Sequence, residues 1–400
     1  MQPLPVLHVA WLGKKSPFCG NVTYGLSTTA ALRERGHRVS FIHFDTPTAP
    51  LSRQEDNPPL PIGDHSSGDS REVALPYLVK SQVYTIPSPG AQRELRESLE
   101  RLRPDLVHAS LTLSPLDFRL PDLCQQLGLP LVATFHPAFD AGLRNLAAGT
   151  QQLTYQLYAP SLARFDRVIV FSDLQAELLE RLGVRRERLA VIPNGVDPCL
   201  WCPPPDGPAA ELEALRRQFA GRRVFLYMGR VSTEKNVEAL LRAWRLVRPE
   251  GCVLVVVGDG PLLSSLQNGL EDDVVWWGYE ASQQRRIALL QLAEVFLLPS
   301  LVEGLSLALL EAMASGTACV ATDAGADGEV LEGGAGIVIR TQGVTTQLRT
   351  LLPVLRDQPV LTAELGRRAR ERVLERYTLT SNIDALERLY KGLIRTPMAA

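Results

Sequence analysis

The sequence predicts an α/β protein built from two doubly wound parallel sheets. Three observations carry that prediction. Short apolar runs alternate with longer amphipathic ones, the signature of successive βαβ units. The alternation breaks at DPCLWCPPPDGPAA (197–210), rich in Pro and Gly and without periodicity, and then restarts; such a stretch reads as a linker. The chain has 400 residues, too many for one ordinary core and enough for two domains of about 150–200.

Taken in order, the first half offers strands at Leu7–Leu12, Val39–Phe44, Val83–Ile86, Leu106–Ala109, Leu131–Phe135, Val168–Phe171 and Ala190–Ile192. Helices are expected between them, among them Leu26–Arg35, closed by Gly36 as a C-cap, and Ala91–Leu102. The second half offers Val224–Met228, Leu254–Val257, Val274–Trp276, Val295–Leu298, Ala318–Ala321 and Ile337–Ile339. Residues 45–82 open with a polar Pro/Ser/Asp-rich stretch too long for an α/β connection. An acceptor-side loop and a disordered insertion both fit it. Near the end, Ser381–Arg395 is amphipathic, with Leu386, Leu389, Leu393 and Ile394 near one face. There is no internal repeat.

Hydrophobic content of 45% with 22% charge is ordinary for a soluble globular chain. A net charge of −2 argues against nucleic acid as a partner, since such domains carry a basic excess. No apolar run reaches the ~18–20 residues of a spanning helix, and no signal peptide opens the sequence. The expectation is a cytoplasmic chain. The six cysteines are scattered. Cys199 and Cys202 form a C-x-x-C without a second pair for zinc, and Pro203–Pro205 precludes the helix a redox pair needs. They read as linker thiols.

The chemistry concentrates in FLLPSLVEGLSLALLEAMASG. An apolar run ends at Pro299-Ser300, a short loop carries Glu303, and a helix-like run carries Glu311 eight positions on. A strand, turn and helix N-terminus in series present backbone N–H groups and a dipole to an anion. The second acid lies about a turn and a half further, ~7–8 Å along the helix axis, so both reach one ligand. Carboxylates accept from hydroxyls, so both acids suit a polyhydroxylated ligand such as a sugar or a ribose diol. Paired carboxylates also occur in glycosidases. Upstream, Arg230 and Lys235 sit where a strand gives way to a helix, and two cations there would offset a diphosphate leaving group. Solvated loop cations are the plain alternative. The strand VLVVV ends in Gly258-Asp259-Gly260, glycines that permit close backbone approach to a ligand. Trp276 and Trp277 read as core rather than as a stacking platform. Asp272-Asp273 looks like a turn, and no D-x-D metal motif is present, so no metal is required.

The first domain opens with HVAWLGKKSPFCGNVTYG, where Gly13 and Gly20 flank a basic loop ahead of a helix. A glycine there lets main-chain amides approach a phosphate. Lys14 and Lys15 are either solvated or in contact with an anionic acceptor or lipid surface. His136 ends the strand LVATFH before Pro137, which forces an extended conformation and aims the ring outward. Asp140 is a weaker acceptor-side candidate. Tyr155–Phe165 reads as a packed helix, with an interfacial segment as the alternative.

The E-x7-E element, the G-R…E-K-N segment and the strand-end histidine together resemble the family 4 retaining glycosyltransferases. That resemblance spans most of the chain and is densest over residues 224–340. It implies the GT-B architecture: an acceptor-side Rossmann-like domain over 1–198, a nucleotide-sugar donor domain over 199–378, and a final helix, 379–400, crossing back to the first. It implies sugar and ribose contacts for Glu303 and Glu311, phosphate contacts for Arg230 and Lys235, and an active-site role for His136. Gly20 falls at the family's glycine-loop position, although Cys19-Gly20 replaces the usual glycine pair. Backbone groups near Gly278 and Tyr279 would meet the base, and those of Gly304, Leu305, Ser306 and Leu307 would hold sugar and phosphate oxygens. Retention of configuration follows from the resemblance alone. The N-terminal stretch is further similar to the digalactosyldiacylglycerol synthases of cyanobacteria. That implies UDP-galactose as donor, a membrane glycolipid as hydroxyl acceptor and peripheral membrane contact. A transferase acting on polysaccharide or small molecules, from UDP-glucose or GDP-mannose, would keep every donor motif. A phosphorylase would need a pyridoxal-phosphate lysine that is not evident, and an inactive binding module should lack the donor residues.

Overall fold

The computed structural model describes residues 6–15, 19–45, 72–81, 84–139, 146–205, 209–219, 221–267 and 272–395. Asp140 and most of the 45–82 stretch (46–71 and 82) lie outside them. The chain forms two compact units. Unit 1 comprises 1–136, 154–193 and 382–400; unit 2 comprises 137–153 and 194–381.

Unit 1 holds a seven-stranded parallel sheet in the order β3-β2-β1-β6-β7-β8-β9. Its strands are β1 (His8–Leu12), β2 (Arg38–Phe44), β3 (Glu72–Leu75), β6 (Leu106–Ser110), β7 (Leu131–Thr134), β8 (Arg167–Val170) and β9 (Leu189–Val191). Two further strands, β4 (Tyr77–Lys80) and β5 (Thr85–Pro87), pair antiparallel in a ribbon of their own. Of the run expected at Val83–Ile86, Thr85 and Ile86 lie in this ribbon and not in the main sheet, and Val83 lies outside the described residues. The end of the 45–82 stretch supplies β3, a sheet edge the sequence pattern did not reveal.

Unit 2 holds a six-stranded parallel sheet ordered β12-β11-β10-β13-β14-β15. Its strands are β10 (Arg223–Met228), β11 (Cys252–Val257), β12 (Val274–Gly278), β13 (Val295–Leu298), β14 (Ala318–Thr322) and β15 (Ile337–Ile339). Every residue of β11 is buried, as expected where helices cover both faces and a strand reads as a continuous apolar run. The strand order reverses at β10/β13, where open α/β sheets bind ligands outside the carboxyl ends of their strands.

The linker stretch is anchored at Trp201. Trp201 is buried, its carbonyl accepts from Arg370, and Arg286 lies 5.7 Å from its ring. Cys199 and Cys202 are free thiols. Trp276 and Trp277, expected in the core, are half-buried on the edge strand β12.

The last helix, Leu379–Arg395, belongs to unit 1 from Asn382 on. Its buried face is Asn382, Ile383, Leu386, Glu387 and Tyr390. Of the expected stripe only Leu386 is fully buried, and Ile394 is exposed. The reason is polar: Glu387 bonds His37 at 3.0 Å and Arg35 at 3.4 Å, and the Tyr390 hydroxyl meets His108 Nδ1 at 2.5 Å. A hydrophobic-only reading of the helix misses a face held by paired polar groups.

In the helix Leu146–Leu162, Tyr155, Tyr158 and Leu162 are buried, as is Phe165 beyond it, so Tyr155–Phe165 packs in unit 1, to which the helix belongs from Thr154 on. Leu157 remains exposed.

Candidate active site

In unit 2 the loops after β10, β13 and β14 meet. Lys235 forms an ion pair with Glu303. Glu303 is 7% exposed and also accepts from the Ser300 hydroxyl at 2.8 Å. The pairing was not legible in the sequence, where the lysine stood for phosphate and the glutamate for sugar. An ammonium has three donors, so a lysine bound to one carboxylate still has hydrogens for a ligand. Arg230 is exposed and pairs with Glu234 at 2.9 Å, while its carbonyl accepts from the Tyr227 hydroxyl at 2.7 Å.

The helix Leu307–Ala314 starts at the N-cap Ser306, whose hydroxyl accepts from Leu309 N–H. Among the described residues nothing accepts from the N–H groups of Gly304, Leu305 or Leu307. Ser306 N–H is different: it is bound to Asp327 Oδ1 at 2.9 Å. The expectation that it serves a ligand is corrected, because a donor satisfied inside the chain is not available to a second acceptor. Glu311 is the fifth residue of this helix, about one turn in. It is 7% exposed and no described residue donates to its carboxyl group, which burial pushes up to about 7 against the pull of Arg286. A buried acid without a donor is a group prepared for one.

The loop carrying Glu303 is fixed from three directions. Thr322 Oγ1 donates to Ser300 O at 2.6 Å and Ala326 N–H to Gly304 O at 2.8 Å. Asn194 Nδ2 donates to Leu305 O at 2.9 Å, and Phe139 N–H to Glu303 O at 2.8 Å. Gly325 has φ +57°, and a Cβ there would lie 2.1 Å from the Glu303 carbonyl oxygen. None of Ser300, Asn194, Thr322 or Asp327 was singled out in the sequence. The usable signal was topological, since adjacency of β13 and β14 makes their following loops neighbours.

Gly258 and Gly260 serve the chain before any ligand. A Cβ on Gly258 would fall 1.9 Å from Gly229 O, and one on Gly260 2.3 Å from Val231 O. The glycines thus let the loop after β11 seat on the one after β10. Gly278 O accepts from Gly258 N–H at 2.7 Å, and Tyr279 beside it is 58% exposed. Asp272 and Asp273 form the expected turn. Among the described residues no group of three His, Cys, Asp or Glu could hold a metal.

In unit 1, His136 follows β7 and bonds Ser110 Oγ through Nε2 at 2.8 Å. Its ring lies edge-on to Tyr24 at 5.0 Å and 5.3 Å from Phe171. Burial, then the charge of Lys14, holds His136 down at about 3, so it is neutral at physiological pH. Behind it, His108 is fully buried, bonded to Tyr390 and Thr134, and likewise pushed down to about 3 by burial. Gly20 is the exposed first residue of the helix Gly20–Glu34, with open space where a Cβ would be. Lys14 is buried, and burial lowers its pKa. Lys15 pairs with Glu72. The solvated reading therefore fails for Lys14, while Lys15 stays partly exposed in a surface ion pair.

Residues 20–200 match the family described as Glycosyltransferase Family 4, and 222–357 the family described as Glycosyl transferases group 1. Each half of the chain thus matches a glycosyltransferase family model, and the chain has the GT-B fold. EpsF of Bacillus subtilis is 32% identical over 53% of this chain and 56% of its own length. The alpha-monoglucosyldiacylglycerol synthase of Streptococcus pneumoniae is 28% identical over 50% and 47%. The chain thus spans about half the length of both relatives. Among solved structures, Anabaena HepE in complex with UDP-glucose superposes with a TM-score of 0.75 at 18% identity, covering 97% of this chain and 100% of that one. At that identity the likeness shows the fold alone.

Proposed function

We propose that this glycosyltransferase moves a hexose, galactose first among the candidates, from a UDP-sugar to a hydroxyl acceptor with retention of configuration and without a metal. The observation that carries the reading is the combination of Lys235–Glu303 with the unpartnered Glu311 at a helix N-terminus whose Leu307 N–H is unused. A nucleoside diphosphate leaving group is anionic, and Lys235, Arg230 and the Gly304, Leu305 and Leu307 amides supply the positive charge its departure needs. Glu303 accepts from sugar hydroxyls and Glu311 from the ribose diol. The bond from the anomeric carbon to the diphosphate oxygen breaks and one to the acceptor oxygen forms on the same face. The acceptor's proton passes to the departing phosphate. Gly278 and Tyr279 border the base, and Gly20 and His136 belong to the acceptor-side unit.

The acceptor we favour is a membrane glycolipid, monogalactosyldiacylglycerol, giving digalactosyldiacylglycerol by peripheral contact with a bilayer. Support comes from the N-terminal HVAWLGKKSPFCGNVTYG stretch and from a relative whose name is that of a diacylglycerol glycolipid synthase. No helix among the described residues is long and apolar enough to cross a membrane.

The test is product mass and UDP release from UDP-galactose, UDP-glucose and GDP-mannose, each with and without monogalactosyldiacylglycerol in mixed micelles and with EDTA. A digalactolipid formed from UDP-galactose, resistant to EDTA and absent in Glu303→Gln, is the expected result. NMR of the new anomeric centre reads the stereochemistry. Transfer to soluble glycans without lipid would replace the acceptor and leave the donor chemistry. Turnover with no donor would refute the reading.

A further inference from the structure

Asp327 lies outside every motif discussed above, yet it is fully buried among the residues that carry the chemistry. It opens the short helix Asp327–Val330 that follows β14. Oδ1 accepts Ser306 N–H at 2.9 Å, and Oδ2 is sealed from water with no partner. Its neighbours Gly325 and Ala326 press on the same loop, Gly325 against the Glu303 carbonyl and Ala326 through its bond to Gly304. Ser306 is also the N-cap of the Glu311 helix. One carboxyl group therefore grips the junction between the Glu303 loop and the Glu311 helix.

We propose that Asp327 is a positioning residue that fixes Glu303 relative to Glu311 through Ser306 N–H, acting as a neutral acid. The proposal rests on the donor-site reading above and names what sets that site's geometry. Three facts favour the neutral form. The group is dry, one oxygen has no donor, and Glu303 is close enough that burial first and its charge second push Asp327 well above the ordinary carboxylate range. A second buried negative charge beside Glu303 would compete with it for Lys235, which faces both.

The variants Asp327→Asn and Asp327→Ala separate shape from charge. Asn keeps the acceptor for Ser306 and cannot ionise; Ala removes the acceptor. Backbone hydrogen exchange over Gly304–Leu307 reads the grip directly and needs no turnover. Protection of Ser306 N–H is expected in the wild type and Asp327→Asn and lost in Asp327→Ala. Kinetics with UDP-galactose should show kcat of Asp327→Ala reduced ~100-fold, the scale of a 1 Å misplacement, with UDP affinity by calorimetry retained. Asp327→Asn should remain close to wild type. Equal protection in all three proteins overturns the proposal, as does an Asn variant as defective as Ala. Parallel loss of UDP binding and kcat in Asp327→Ala also overturns it, since that marks general damage. A wild type that fails to bind UDP sinks the donor reading, and the exchange experiment still decides whether Asp327 holds the loop.

Discussion

Replacing Lys235 by Met tests the central pair on stability and chemistry together. Glu303 retains one hydrogen bond, from Ser300 at 2.8 Å, once the ammonium is gone. The side chains are 21% and 9% exposed for Lys235 and Glu303. Breaking a fully buried pair costs about 3–5 kcal/mol because a charge is left without its partner. Partial hydration on the lysine side reduces that to ~2 kcal/mol, between the cost of breaking an exposed pair and that of breaking a buried one. For a unit of this size ~2 kcal/mol lowers the melting midpoint by roughly 4–8 °C. The reverse change, Glu303→Gln, frees a lysine that water reaches, so it should cost less. The double variant carries no buried charge and should melt close to the wild type, giving a coupling near ~2 kcal/mol in a double-mutant cycle.

Differential scanning calorimetry of the four proteins supplies the cycle. Transfer assays on the same samples should show loss of ~10²–10³ in kcat for every variant, because developing leaving-group charge loses its cation or the sugar loses its acceptor. Stability and activity then part company in the double variant, which is restored in one and dead in the other. Additive midpoint shifts, or a Lys235→Met midpoint unchanged from wild type, would refute the claim that the two residues form one electrostatic unit.

Three further expectations follow from the same geometry. Burial raises Glu311 from 4.5 to about 7, so its contribution to stability is full below pH ~4.5 and is lost as pH rises through 7, ~3 kcal/mol in all; Glu311→Gln should therefore be more stable than wild type at pH 8 in urea titrations, yet bind UDP more weakly. His108 and His136 are held at about 3 against an ordinary 6.5; their contribution is present above 6.5 and lost as pH falls toward 3, so His136→Gln should flatten the acid limb of a stability–pH curve. Gly325→Ala puts a Cβ 2.1 Å from the Glu303 carbonyl oxygen at φ +57°, whereas Gly20→Ala meets open space; the first should lower the melting midpoint and abolish transfer, and the second should melt like wild type.

The sheets were legible because their strands are unusual locally. CVLVVV and VFLL are continuous apolar runs that only a strand covered on both faces accommodates. The strand Glu72–Leu75 escaped notice because four residues following a polar stretch carry too little period to register. The site divides in the same way. Glu303 and Glu311 are eight positions apart and the spacing shows them. Asp327 is 21 residues from Ser306 and nothing in its own neighbourhood marks it. Its role exists only because β13 and β14 are neighbours in register, Leu297 opposite Val320, so that the loops leaving their ends meet.

That division sets what a sequence can say about a site of this kind. Glu303 and Glu311 lie on one loop and the helix that follows it, and their identity and spacing are constrained together. Groups that hold the loop come from whichever strand is adjacent, and only the tertiary register brings them within 3 Å. Ser306 shows the consequence. Read from sequence its amide is one of four equivalent donors at a helix start; in the folded chain it is already bound at 2.9 Å, while the Gly304, Leu305 and Leu307 amides are not. A donor site is thus defined as much by which backbone groups the protein has satisfied as by which it displays, and the first set is invisible until the neighbouring strand is placed.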